Sequence, residues 1–293
     1  MAEIIFQSKV DAEKFYYHLL KYLPNNHENE TILLIEDRHI VKFLGSILSI
    51  EFSTIVKHAF YEFITNIKRD DWFREILKNQ FFYEDFEEQQ QIIEIIYSVL
   101  EGQREDLAVF LNETNEEINI KAAIHYIFQD DISFSFDSFL KFRLRPYLQS
   151  LEGYVEIAID EYKMEQEYQI FVQMLREFLV NREPKMDVLH LLFDEEITFF
   201  NDQFVEMKRA ELTRLIDRKL LVNHPVYVDS ASIAPLLSLA PTTIFLYTKD
   251  PDEPLVRTIK NIFEERVTIK SFAALREVNP WVEEGDHSSE NHG

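Results

Sequence analysis

Between Phe139 and Asn181 the chain reads FLKFRLRPYLQSLEGYVEIAIDEYKMEQEYQIFVQMLREFLVN, and within it Tyr154, Glu161, Tyr168 and Leu175 recur every seven residues. Ile157, Met164, Phe171 and Phe178 repeat that period three residues later, which predicts a long helix with two interleaved heptad rows on one face. The expected seam is apolar except at Glu161, and Glu165 follows one turn later in a flanking row between Ala158 and Val172. Carboxylates at that spacing lie within a side chain's reach of each other. Burying both would raise the pKa of one, through desolvation and through the charge of the other.

Three explanations of the carboxylates compete. A buried charge normally finds a partner, and Arg143, Arg145 and Arg176 are the candidate pairing residues on the same stretch. Alternatively the seam edge is wet and Glu161 snorkels to water. The third explanation is a metal or acid/base site built from Glu161 and Glu165 with Asp160. Carboxylate-bridged centres in bundles need further Glu and Glu-x-x-His ligands, which the neighbouring segments do not offer. No metal and no cofactor is therefore expected.

Charge excludes more than the motifs do. The 293 residues hold 53 acidic against 30 basic side chains, a net charge of −23, which repels nucleic-acid phosphates and anionic lipid alike. Eleven carboxylates against Arg104 alone fall between Glu84 and Glu117, either a solvated helix face or a docking surface for a basic partner. Cysteine is absent, so disulfides, thiolate catalysis and cysteine-ligated metals are impossible. The N-terminal MAEIIFQSKVDAEKF lacks a basic region followed by an apolar stretch, so a cytoplasmic location is expected. Ser230 to Thr248 is uncharged over nearly a membrane span, but Pro235, Pro241 and its hydroxyls predict a short helix ending near Ala240 and a strand over Thr243–Tyr247.

Along the chain, apolar runs at Glu3–Gln7 and Ile32–Ile35 flank a helical face of Phe15, Leu19, Tyr22 and Leu23, giving strand, helix, strand. Runs apolar throughout suit strands covered on both faces. From Ile40 to Asn181 the signals are helical, with interruptions near Asp70, Phe81–Glu84, Gly102, Asn112–Thr114 and Asp130–Ser135. After Pro184, Val188–Phe193 and Thr198–Asn201 read as a hairpin, and Val205, Leu212, Leu215, Ile216 and Leu220 as a helical face. Thr243–Tyr247, a helix with Pro254 early and Asp252 as its cap, and a strand holding Val267 and Ile269 make a parallel crossover unit. Asn279–Gly293 is polar and acidic and reads as a disordered tail.

Chemistry-bearing motifs are scarce. The five glycines are too scattered for a phosphate-cradling loop, and the Walker, dinucleotide, kinase and nucleophile-elbow patterns are missing. His190 lies in an apolar strand near Asp187, Asp194, Glu195 and Glu196, a spacing that fits a structural histidine better than a ligand. Lys208, Arg209, Arg214, Arg218 and Lys219 make a basic patch diluted by Glu206, Glu211 and Asp217. It offers few contacts to phosphate, so no nucleic-acid partner is expected.

Phe142-Arg143-Leu144, Tyr147, Asp160-Glu161-Tyr162, Glu165 to Tyr168, Phe171, Leu175 and Arg176 together resemble the YtxC-like proteins of spore-forming Firmicutes. The likeness continues through Glu183-Pro184-Lys185, the strand at His190 and Ser238-Leu239-Ala240-Pro241, and is weaker before about residue 80. It implies a cytoplasmic protein connected with sporulation and supplies no catalytic residue. The expected fold is α+β: a strand-helix-strand piece over 1–39, a helical region over 40–183, an α/β region over 184–278 and the tail over 279–293. The expected function is a non-enzymatic protein-interaction factor. The alternatives are a metal-dependent enzyme using the helix carboxylates and a small-ligand regulator with its pocket at the C-terminal strand ends.

Overall fold

Glu3–Ile5 becomes a strand by pairing with Ile40–Phe43, a stretch whose sequence reads as the start of the helical region. The computed structural model describes residues 3–23, 31–44, 50–111, 116–128, 133–180, 182–194, 196–217 and 232–278. Strand β1 (Glu3–Ile5) is followed by α1 (Lys9–Leu20), capped where the Ser8 side chain accepts from Asp11 N. Strands β2 (Ile32–Ile35) and β3 (Ile40–Phe43) form an antiparallel hairpin whose turn ends at His39, φ 55°. Strand β3 is central, antiparallel to β1 with Ile4 opposite Val41. Its Val41 and Phe43 point inward and are buried, while Ile40 and Lys42 alternate outward, a period of two in only four residues. Only one face is fully covered, since Ile5 and Leu33 are exposed, so these runs are not strands buried on both sides.

The chain divides into two compact units, Met1–Met164 and Glu165–Gly293. In the first, α2 (Ile50–Glu62) continues through a π-helical turn, Phe63–Lys68, into α3 (Arg69–Asn79). The interruption expected near Asp70 is therefore absent, because the extra residue of the π turn is absorbed within an unbroken helix. Helices α4 (Phe86–Leu100), α5 (Glu105–Ala108) and α6 (Glu116–Ile127) follow, and β4 (Phe134–Ser135) then pairs parallel to β1. The sheet order is β2-β3-β1-β4. Its core is a phenylalanine cluster in which Phe60 meets Phe15, Phe128, Phe134, Phe136 and Phe139 at centroid distances of 5.5 to 5.9 Å. The expected break at Asn112–Thr114 lies outside the described residues.

The long helical stretch is two helices, α7 (Phe136–Arg143) and α8 (Arg145–Val180), broken at Leu144. Pro146 explains the break: it lacks an N–H, restricts Arg145 before it, and is tolerated only in a first turn. In the first unit the buried stripe is Tyr147, Leu151, Val155, Ala158, Ile159 and Tyr162. In the second it is Val172, Leu175 and Leu179, with Tyr168, Phe171 and Phe178 packed alongside. Lys163–Glu167 is exposed throughout, so the expected seam is not continuous and Met164 faces water.

The second unit is a four-stranded sheet of order β6-β5-β7-β8. Strand β5 (Val188–Phe193) and β6 (Ile197–Phe200) form the expected hairpin, and α9 (Arg209–Leu215) is shorter than its sequence pattern suggests, leaving Val205 exposed outside it. Helix α10 (Ile233–Leu239) ends at Ala240, φ 47°. Strand β7 (Thr243–Thr248), α11 (Pro254–Phe263) and β8 (Val267–Lys270) form the parallel crossover, and α12 (Phe272–Val278) ends the described chain. Pro254 opens α11 as expected, but the cap position is Glu253 and not Asp252, whose N–H donates to the Asp250 carboxylate at 2.9 Å. The fold is thus α+β with a helix-rich middle. No helix among the described residues is long and apolar enough to cross a membrane.

Candidate functional site

Helix α4 begins where it does because the Asp85 carboxylate accepts from the N–H groups of Glu87 and Glu88, at 2.8 and 2.9 Å, while those two acids favour the positive helix end. Ile92, Ile93, Ile96 and Val99 face the core, and most of the charged side chains are left outward. The helix stops at Gly102, whose φ of 74° suits a residue without Cβ. The chain then doubles back, Gln103 N donating to Ser98 O at 2.9 Å, and so presents Arg104.

Arg104 is the partner of Glu161. Its guanidinium donates to Glu161 Oε1 at 2.8 Å and to Asp106 Oδ2 at 2.8 Å, and these two carboxylates hold its pKa above the usual value, Asp106 contributing most. The same bonds lower the pKa of Asp106. The residues proposed from the sequence as partners are occupied elsewhere or face water. Arg143 stacks over Tyr126 at 4.5 Å, Arg145 is exposed, and Arg176 pairs with Glu264 at 2.9 Å and Asn261 O at 2.8 Å. Asp160 and Glu165 are exposed. Among the described residues no three His, Asp or Glu side chains converge as a metal site would require.

Further contacts bind the acidic helices to α8. Tyr162 donates to Glu88 at 3.4 Å, its ring meets Tyr83 at 6.2 Å, and Gln80 reaches Glu152 at 3.1 Å. Replacing Glu161 with Gln is expected to destabilise the first unit by only about 0.5–1 kcal/mol, since the pair is partly exposed. The sensitive readout is proteolysis around Gly102–Ala108, which should accelerate. An unchanged cleavage rate would mean that Arg104 does not hold this segment.

Two polar clusters in the first unit have no simple signature in the sequence. Lys68, 7% exposed at its side chain, donates to both Asp11 oxygens at 3.0 Å and lies 3.5 Å from Asp71, which Lys14 also pairs at 2.8 Å. The π turn aims this lysine back at α1. The second cluster gathers Arg69, Tyr147, Ser150 and Glu116 beside a cavity of about 340 Å³ that Glu116, Asn119, Arg143 and Tyr147 help to line. Burial raises the pKa of both Tyr147 and Glu116. The Tyr147 hydroxyl and Arg69 Nε are both buried, and the Arg69 charge acts on the Tyr147 hydroxyl against the effect of burial.

His190 is buried between aromatic rings, 4.0 Å from Phe204 and 5.2 Å from Phe245 by centroid, and its Nδ1 lies 3.1 Å from the Tyr247 hydroxyl. Asp194 instead pairs with Lys249 at 3.2 Å, and Glu195 lies outside the described residues. Burial, then the charge of Lys270, depress the pKa of His190 below 6.5. The unfolded chain therefore binds this proton more readily than the folded one, and stability rises with pH through that range. The second unit is expected to lose stability as pH falls through about 6.5 towards the lower folded value, and His190→Gln should flatten that profile. Chemical denaturation of both proteins between pH 5 and pH 8, about the range where histidine titrates, checks it.

Of the basic patch, Lys208, Arg209 and Arg214 are exposed, while Arg218 and Lys219 lie outside the described residues. The model of the YtxC-like family matches residues 54–268. The chain is also 32% identical over 267 residues to the uncharacterized protein YtxC of Bacillus subtilis (strain 168), covering 91% of this chain and 93% of that one. No solved structure gives a significant match. With most of both chains aligned and both Arg104 and Glu161 inside the matched range, this chain belongs to the YtxC-like family.

Proposed function

We propose that the protein is a cytoplasmic, non-enzymatic protein-interaction factor acting in sporulation, and that its partner binds the surface formed by the acidic helices and α8. The sporulation role rests on the resemblance to sporulation proteins of spore-forming Firmicutes. The interaction role is supported by one observation: Arg104, the only cation between Glu84 and Glu117, is consumed by Glu161 and Asp106, so the acidic stretch is joined to α8 and stays negative outward. A surface of that charge selects basic protein partners over nucleic acid and anionic membrane.

The test is crosslinking with mass spectrometry on the tagged protein in sporulating cells of its own host. Reproducible crosslinks from Lys78, Lys121 or Lys163 of the first unit to one protein are the expected result. An abundant protein that yields no crosslinked partner would remove the reading.

A further inference from the structure

The largest apolar exposures near the acidic helices are concentrated in two short segments. Phe82 is 81% exposed and Phe86 66%, with Val109 at 80% and Phe110 at 76% at the end of α5. Phe82 and Phe86 are four residues apart, so their Cα atoms lie within about 14 Å. The segment that carries them is fixed. Tyr83 between them is tied by its N–H to Leu77 O at 3.0 Å, accepts from Gln89 Nε2 at 2.7 Å, and packs on Tyr162. Phe82 itself has φ 62°, a conformation that favours glycine, yet a large ring stands there in water. One side of the Phe86 ring meets the Arg74 guanidinium at 4.7 Å, and Gln90 holds that guanidinium at 2.7 Å. Both rings are therefore presented by fixed neighbours and flanked by the exposed carboxylates Glu84, Asp85, Glu87 and Glu88.

We infer that Phe82 and Phe86 are the apolar anchors of a docking face for a basic amphipathic segment of another protein. This rests on the interaction reading above and names the chemistry of its partner. Rigid aromatic rings lose little entropy on binding and form the usual centre of a protein interface. The surrounding acids choose a lysine- or arginine-rich segment with apolar residues on one side. A second copy of the chain would bring another −23 of charge and is the less suitable occupant.

The probe is a fluorescent synthetic helix of about five turns, leucines at helical spacing and lysines elsewhere, titrated against the full chain and followed by anisotropy. Its control is the same composition with the leucines scattered. The ordered peptide is expected to bind about tenfold or more tightly than the scrambled one. Phe82→Gly and Phe86→Gln together should remove that preference, while Phe82→Gly alone leaves the melting temperature equal or higher. A residue kept for packing would do the reverse. Equal binding of the two peptides, no binding of either, or unchanged binding by the double variant would overturn the inference, as would a dimer that the double variant abolishes. In sporulating cells, a partner still crosslinked to the double variant at wild-type yield sinks these anchors but leaves the interaction reading standing. No partner for the wild type sinks the interaction reading itself.

Discussion

Phe60→Ala is expected to destabilise the first unit by about 3–5 kcal/mol, the range for emptying a large aromatic site in a packed core. Phe60 is fully buried on α2, and its neighbours come from α1, β4, α7 and the segment after α6. No single element can move in to fill the space without leaving the others, so collapse of the cavity is restricted. Edge-to-face geometry adds to the loss: Phe60 meets Phe15 at 85° and Phe136 at 80°. Phe60→Leu keeps most of the volume and should lose less than half as much. Urea titration followed at Trp72, buried in the same unit beside Tyr147, measures both. Equal losses for Ala and Leu would mean that the site relaxes freely and that the cluster is not what closes the helices onto the sheet.

That cluster also explains which elements can be read from the sequence. The hairpin Val188–Phe193 with Ile197–Phe200 and the strand Thr243–Thr248 are legible as apolar runs between polar or proline-containing segments, and Val267–Lys270 by the alternation of Val267 and Ile269 with polar neighbours. Ile40–Phe43 is hard to read, being four residues long with Lys42 at its centre. Phe134–Ser135 is a strand only by virtue of pairing with Ile4 and Ile5, some 130 residues earlier in the chain, and no local preference encodes that. Glu161 stands out as a carboxylate beside an apolar stripe. Its partner does not, because Arg104 lies 57 residues away in a stretch where a lone cation reads as dilution of negative charge. The long helix is legible, but the position of its buried face is not. Periodicity assumes one core along its length, whereas α8 serves two units.

Lys68→Ala is expected to destabilise the first unit by about 3–5 kcal/mol, because removing one member of a buried ion pair leaves the other charge unpaired in a low-dielectric site. Asp71 would keep Lys14 at 2.8 Å, but no other cation is placed on Asp11 among the described residues. Asp11 is also a first-turn residue of α1, where the helix end partly offsets its charge, so the loss should fall towards the lower end of the range. Replacing both members, as Asp11→Ala with Lys68→Met, takes away the uncompensated charge and keeps an apolar stem near Trp72, whose ring lies 5.8 Å from Lys68 Nζ. The double variant is therefore expected to be more stable than Lys68→Ala, with a coupling energy of about 1–3 kcal/mol between the two positions once Asp11→Ala and Lys68→Met, each alone, complete the cycle. Strictly additive effects would show that the lysine is held by its aliphatic stem alone. A coupling of the expected size would show that the ion pair itself holds the lysine, whose direction depends on the π turn, since one residue fewer between Phe63 and Lys68 would rotate this ammonium by about 100° away from α1.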